Sequence, residues 1–216
     1  MPIRRTNRLN QKKWLKENSH LKILDLGCHV EGRWPEANHF ADIFDLKKYY
    51  ENLGLKFKKI EVNKPLPFND KEFNYVILSH VLEHIPDPNS FIKEVERISD
   101  AGYIELPTNF NDSITIGNEG ELGHKWWFNF DDDVNQLLIS KRVEPIEKFV
   151  SIATSTKLTK LFEESFTLQL YWEKNINIKK SDSINFEKKI LFLSIVKKYF
   201  SKKIRILFSS IKTIFR

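Results

Sequence analysis

The chain has a single cysteine, Cys28, among its 216 residues. No internal disulfide can form and no cysteine-based metal cluster can be built, which fits a reducing cytoplasm. Long apolar runs are also missing. The longest, ILFLSIV at 190–196, falls far short of the roughly 20 residues that span a bilayer. The first twenty residues, MPIRRTNRLNQKKWLKENSH, are basic but lack the apolar core, roughly 7–15 residues long, of a secretory signal. The expectation is a protein made and kept in the cytoplasm. Internal repeats are absent, and nothing is low in complexity except a Lys/Ile-heavy tail.

The net charge of +6 hides an asymmetry. Residues 1–20 carry six Lys or Arg against one Glu, and residues 186–216 carry nine against one, leaving 20 basic and 27 acidic residues between them. A main nucleic-acid site puts a basic stripe on the folded body. An acidic body with basic ends argues against a nucleic-acid partner and for peripheral contact with an anionic surface. With 41% apolar residues the chain can bury one sizeable core and is too short for two full domains. The expected organisation is a basic segment over 1–20, one domain over 21–175, and a linker with a basic amphipathic tail over 176–216. In that tail Phe192, Ile195, Val196, Tyr199, Leu207, Ile211 and Ile214 can share one side of a helix. Such a helix suits the inner face of a membrane, a protein partner or the domain itself.

Runs rich in β-branched and aromatic residues recur at LKILDL (21–26), ADIFD (41–45), LKFKKIEV (55–62), FNYVILS (73–79) and AGYIELP (101–107). Between the last two, NSFIKEVERIS sets Phe91, Ile92, Val95 and Ile98 on one helical face, with Asn89 or Ser90 as cap. Strands alternating with helices predict a parallel α/β layer fold. Beyond residue 107 the pattern predicts a polar loop, a helix at DDDVNQLLISK, a strand at VEPIEKFV, a helix at TSTKLTKLFEES and a strand at FTLQLYW.

In open α/β sheets ligands bind at the carboxyl ends of the strands. There the first strand meets Asp25-Leu26-Gly27-Cys28, the second ends at Asp45, the third at Glu61 and the fourth at Ser79-His80. A glycine after a strand is by itself most often a simple turn. The segment EVNKPLPFNDKEFNYVILSHVLEHIPDPNSFIKEVERI is more specific. With its LPF turn (Leu66-Pro67-Phe68), Phe73-Asn74 and the stretch Ser79 to His84, it resembles the central block of class I S-adenosylmethionine-dependent methyltransferases, in particular the methyltransferase type 11 group. The resemblance covers residues 21–107 and extends more loosely to about 172.

It implies a Rossmann-like sheet of seven strands, mostly parallel, with the last antiparallel. It also implies S-adenosylmethionine as cofactor. Carried over by position, Asp25, Gly27 and Cys28 shape the methionine end, Asp45 binds the ribose, Glu61 and the Val62 backbone hold the adenine amino group, and Ser79 and His80 line the floor. The chain departs from the group's Gly-Cys-Gly-x-Gly turn, reading Gly27-Cys28-His29-Val30-Glu31-Gly32. A histidine Cβ at position 29 crowds a ligand or pushes the loop outward. Only eight residues, Pro35 among them, separate Gly32 from Ala41, room for about one helical turn. The shortened first crossover helix resembles a subgroup of the type 11 enzymes.

Methyl transfer from a sulfonium is an in-line displacement, so positioning dominates and one base suffices for an oxygen acceptor. His80, His84 and His124 are the histidines near the proposed crevice. His84 shares a face with His80 if a helix has begun there, and both suit the bland role of polar residues at a helix start. No third ligand stands near that pair in sequence, so no metal is expected. The stretch GNEGELGHKWWFNFDDD (117–133) joins Gly117, Gly120 and Gly123 to His124, Trp126, Trp127 and Phe128, which can form an acceptor-side lid or pack on the sheet edge. His124 is the candidate base, with His80 second. The acceptor expected is a small molecule or a glycan, lipid-linked in one version, as in polysaccharide biosynthesis. A non-catalytic binding or scaffold protein with a degenerate glycine loop is the alternative. Nucleic-acid methyltransferases marked by Asn/Asp-Pro-Pro-aromatic after the fourth strand do not fit, because SHVLEH stands there.

Overall fold

A computed structural model describes residues 3–114, 123–142 and 163–180. The stretch VEPIEKFV, most of TSTKLTKLFEES, Gly117, Gly120 and the basic tail over 186–216 lie outside the described residues. In chain order the strands are β1 (Ile3–Arg5), β2 (Ile23–Leu26), β3 (His39–Asp42), β4 (Lys56–Lys59), β5 (Tyr75–Ser79), β6 (Ala101–Pro107), β7 (Trp126–Asp131), β8 (Gln136–Lys141), β9 (Thr167–Glu173) and β10 (Ile178–Lys180). The helices are α1 (Arg8–Glu17), α2 (Lys47–Asn52), α3 (Pro88–Ile98), α4 (Asn109–Ile114) and α5 (Glu163–Phe166).

Seven strands form the main sheet in the order β1-β9-β6-β5-β2-β3-β4. Strand β9 runs antiparallel to both β6 and β1, while β2 to β6 pair in parallel. This is the mostly parallel methyltransferase sheet that the resemblance implied. One edge strand, β1, comes from the basic segment ahead of the strand-rich region. Arg5 pairs with Asp132 at 2.6 Å and Arg8 with Glu105 at 2.9 Å, so part of that segment's charge is neutralised within the fold.

Strand alternation divides the core into two layers. Leu24, Leu26, Val76, Leu78, Ile104 and Leu106 face one side, which α3 covers with Phe91, Ile92, Val95 and Ile98. The helical pattern read from the sequence is therefore right, but its cap is Asp87, whose side chain accepts the Ser90 N–H at 3.2 Å. Pro88 occupies the first turn, where a missing N–H costs nothing. Ile23, Tyr75, Ile77 and Tyr103 face the other side with Leu15 of α1, Tyr50 of α2 and Trp34.

Three local expectations need correction. The crossover from β2 to β3 contains turns and no helix. Trp34 fills the space instead, fully buried with its ring 5.1 Å from Tyr103 and Arg8 stacked over it at 4.5 Å. The second strand ends at Asp42 rather than Asp45, because the Asp42 carboxylate takes the Phe44 N–H at 2.9 Å and turns the chain. DDDVNQLLISK is not a helix but the turn and second strand of the β7–β8 hairpin. Asp131 accepts the N–H groups of Asp133 and Val134, and the alternating Leu137 and Ile139 are buried. The aromatic stretch read as a loop is thereby β7, in a small sheet of order β10-β8-β7.

Candidate active site

A cleft of about 550 Å³ opens at the carboxyl ends of β2, β3 and β5. Its walls combine Gly27 and His29, Asp42, Ile43 and Phe44, Ile60 and Val62, the segment His80 to Pro86 without its most buried members, and Lys125.

At the β2 end, Gly27 has φ +89°, and a Cβ built there would stand 2.4 Å from Val81 Cγ2. Only glycine permits that close approach. The N–H groups of Gly27, Cys28, His29 and Gly32 all bond within the loop or to Ala41. His29 lies exposed at the cleft, so the added side chain is displaced outward and does not fill the pocket. Asp25 lies buried beneath the turn, its carboxylate accepting the Trp34 N–H at 2.8 Å. Burial, only partly offset by that hydrogen bond, pushes its pKa up to about 7. Cys28 is buried too, and its carbonyl accepts the Tyr50 hydroxyl at 2.6 Å. Burial pushes its thiol up to about 12, so no reactive thiolate forms there.

At the β3 end the cleft carboxylate is Asp42, 5% exposed. Asp45, expected at this strand end, is exposed and accepts the Lys47 N–H at 3.3 Å, away from the cleft walls. The strand's early end causes this difference. Glu61 is likewise exposed and pairs with Lys64 at 2.8 Å, whereas the neighbouring Val62 does line the cleft. Ser79 is the last residue of β5, paired in register with Glu105.

His80 follows in a left-handed conformation, φ +56°, with its N–H bonded to the Glu105 carbonyl at 2.8 Å. One ring nitrogen faces Glu83 at 3.3 Å and the other faces Glu105 at 3.5 Å. Burial opposes the charged imidazole, but the two carboxylates outweigh it and raise the pKa to about 10. His80 is therefore a cation at neutral pH. Glu105 also receives Arg8 at 2.9 Å and the Tyr103 hydroxyl at 2.7 Å. Residues 80–87 form turns and α3 begins only at Pro88, so His80 and His84 do not share a helical face. Both still line the cleft.

A polar cluster centred on Asp112 lies beside His84. His124 Nδ1 contacts Asp112 Oδ1 at 2.5 Å, and the rings of His84 and His124 lie 4.7 Å apart, edge to face. Asp112 is buried on α4 and further accepts Trp127 Nε1 at 2.6 Å and Arg142 Nε at 2.7 Å. Burial would raise Asp112, but His124 and Arg142 outweigh it and hold the carboxyl down at about 2. A carboxylate can only accept, so Nδ1 carries a proton, and the neutral form of the ring has its lone pair on Nε2. The strand leading into β7 is fastened here: Lys125 N–H donates to the Glu83 carbonyl at 2.7 Å and Trp126 Nε1 to the Ile85 carbonyl at 2.9 Å.

Sequence spacing gave no third metal-ligand candidate beside His80 and His84. The fold supplies one to His84 instead: ligand atoms of Glu83, His84 and His124 lie within 4.8 Å of one another. Sequence reading also passed over Asp42, Glu83, Glu105 and Asp112. Asp42 was legible in principle as the last residue of an alternating strand, while Asp112 carries no local signal.

A family model described as a methyltransferase domain matches residues 3–165. The chain belongs to this family and is a class I S-adenosylmethionine-dependent methyltransferase. S-adenosylmethionine is its cofactor. The cleft fits that group, offering apolar walls, a glycine at the closest backbone approach and a buried carboxylate. Among solved structures the chain is similar to the PH0226 protein of Pyrococcus horikoshii OT3 (17% identity, 78% of this chain and 92% of that one, TM-score 0.42). It is also similar to a SAM-dependent methyltransferase from Aquifex aeolicus (12%, 74% and 88%, TM-score 0.40). A third is the CurJ carbon methyltransferase (14%, TM-score 0.37), where 41% of this chain spans only 29% of that one. A search of curated proteins finds no match.

Proposed function

We propose that the enzyme methylates a hydroxyl group of a small molecule or glycan, in the cleft at the carboxyl ends of β2, β3 and β5. The carrying observation is the Asp112–His124 pair beside that cleft, with Nδ1 held by the carboxylate at 2.5 Å, an arrangement that makes Nε2 the accepting nitrogen of the neutral ring. When bound, the cofactor supplies an electrophilic methyl group on a sulfonium. Gly27 admits the methionyl part close to the backbone, and the His80 cation attracts its carboxylate. Asp42, rather than Asp45, accepts hydrogen bonds from the ribose hydroxyls, and Ile43, Phe44, Ile60 and Val62 flank the adenine. His80 is not the base, since its pKa of about 10 keeps it protonated. His124 receives the acceptor's proton, as Asp112 fixes its tautomer and stabilises the imidazolium.

The test is mass-spectrometric detection of methylated product over a panel of hydroxylated acceptors. His124→Ala is expected to lower turnover by about 100-fold or more with S-adenosylhomocysteine binding kept. Retained turnover removes His124 from the mechanism.

A further inference from the structure

Glu83 is an unusual group for this site. Its side chain is fully buried, yet Oε2 has no hydrogen-bond partner among the described residues. Leaving a carboxylate oxygen desolvated and unsatisfied is costly, and such an atom calls for a donor or a cation of its own. His80 meets only the other oxygen, at 3.3 Å. Within 4.8 Å of one another stand ligand atoms from Glu83, His84 and His124. Three further features fit a metal centre. His124 is oriented by a buried carboxylate at its other nitrogen, the arrangement that fixes metal-binding histidines. The backbone segments carrying the three residues are fastened by Lys125 N–H to the Glu83 carbonyl. His84 lines the cleft, so a fourth coordination position would meet the acceptor.

We propose that Glu83, His84 and His124 bind one divalent transition ion of the zinc class, which activates the methyl acceptor. Two imidazoles and a carboxylate are the donors such ions prefer, and three protein ligands leave a position open for chemistry. At metal–ligand distances of about 2.0–2.1 Å the ligand atoms stand about 3.3 Å apart, so binding draws the three side chains together. The role rests on the hydroxyl-methylation reading given above. The acceptor oxygen occupies the open position and its proton passes to water at neutral pH. That oxygen forms the new bond to the methyl carbon as the carbon–sulfur bond breaks, and the sulfur keeps the electron pair as neutral S-adenosylhomocysteine. In the metal-loaded enzyme His124 Nε2 holds the ion, and the direct proton transfer to His124 given above applies to the metal-free enzyme.

The experiment titrates Co²⁺ into full-length, chelator-treated, tag-free enzyme and follows visible d–d absorption, with Zn²⁺ competition. A saturable one-to-one spectrum is expected. Glu83→Gln, His84→Ala and His124→Ala should each weaken it by more than about tenfold, and Asp112→Asn by about tenfold. His20→Ala, at an exposed position, should leave it unchanged. Circular dichroism verifies folding, and any variant that melts early is replaced by the other two. No d–d spectrum, or the same spectrum in folded Glu83→Gln and His84→Ala, overturns the site. Turnover that survives chelation overturns the ion's activating role and leaves His124 as the base. A Co²⁺ spectrum without methylation of any hydroxyl acceptor leaves the site standing and counts against the acceptor reading alone.

Discussion

At the residue scale the site is governed by buried carboxylates, each with a different companion. Asp42 stands at the cleft, Asp112 holds His124, Glu105 gathers Arg8, Tyr103 and His80, and Asp25 has, among the described residues, the Trp34 N–H alone at 2.8 Å. Burial, only partly offset by that hydrogen bond, pushes the Asp25 carboxyl up to about 7 from the usual 3.8. Between about pH 4 and 7 the folded chain therefore holds a proton that the unfolded chain releases, and stability falls as pH rises through that window. Asparagine at this position can still accept the Trp34 N–H without the charge. Asp25→Asn should flatten the dependence of melting temperature on pH between 4.5 and 7.5, with Asp42, also raised by burial, keeping part of the slope. A curve parallel to that of the wild type would contradict this assignment. Gly27 and His80, read at strand ends, and Val62, implied by the family resemblance, all line the cleft; a glycine after a strand and a polar residue at a strand end carry local signals. Asp42 was passed over for Asp45 because it lies inside the run ADIFD, whose last residue is Asp45, whereas the Asp42 carboxylate takes the Phe44 N–H and stops the strand there.

At the element scale the β2–β3 crossover shows how a shortened sequence keeps its layer closed. Length alone excluded a helix of normal size, and the structure has none; Trp34, tucked between Tyr103 and Arg8, covers the sheet instead. Trp34→Ala should therefore cost about 3–5 kcal/mol in urea unfolding, and a loss below about 1 kcal/mol would show that the loop does not cover the core. Strand β6 and helix α3 were read almost to the residue because their apolar periods are long and uninterrupted. The β7–β8 hairpin was not. Its acidic run imitates a helix start, and the period of two becomes decisive only when Leu137 and Ile139 are seen paired with Phe130 and Phe128. Pairing Asp112 with His124 depends on two elements meeting in space, which local pattern cannot report.

At the scale of the whole molecule, the order of the strands places β2, β3 and β5 side by side so that their carboxyl ends enclose one cleft. The first residues complete the same sheet, which is why a segment read as a basic extension contributes an edge strand and the Arg8 that meets Glu105. Among the described residues no helix is long and apolar enough to cross a membrane. The central claim is that the cofactor lies in this cleft with Asp42 at its ribose. Calorimetric titration with S-adenosylhomocysteine tests it directly on the wild type, Asp42→Ala and Asp45→Ala. The account predicts saturable one-to-one binding that Asp42→Ala weakens by about tenfold or more and Asp45→Ala changes by less than about twofold. Absence of binding to the wild type, or an equal loss from the two variants, would contradict it.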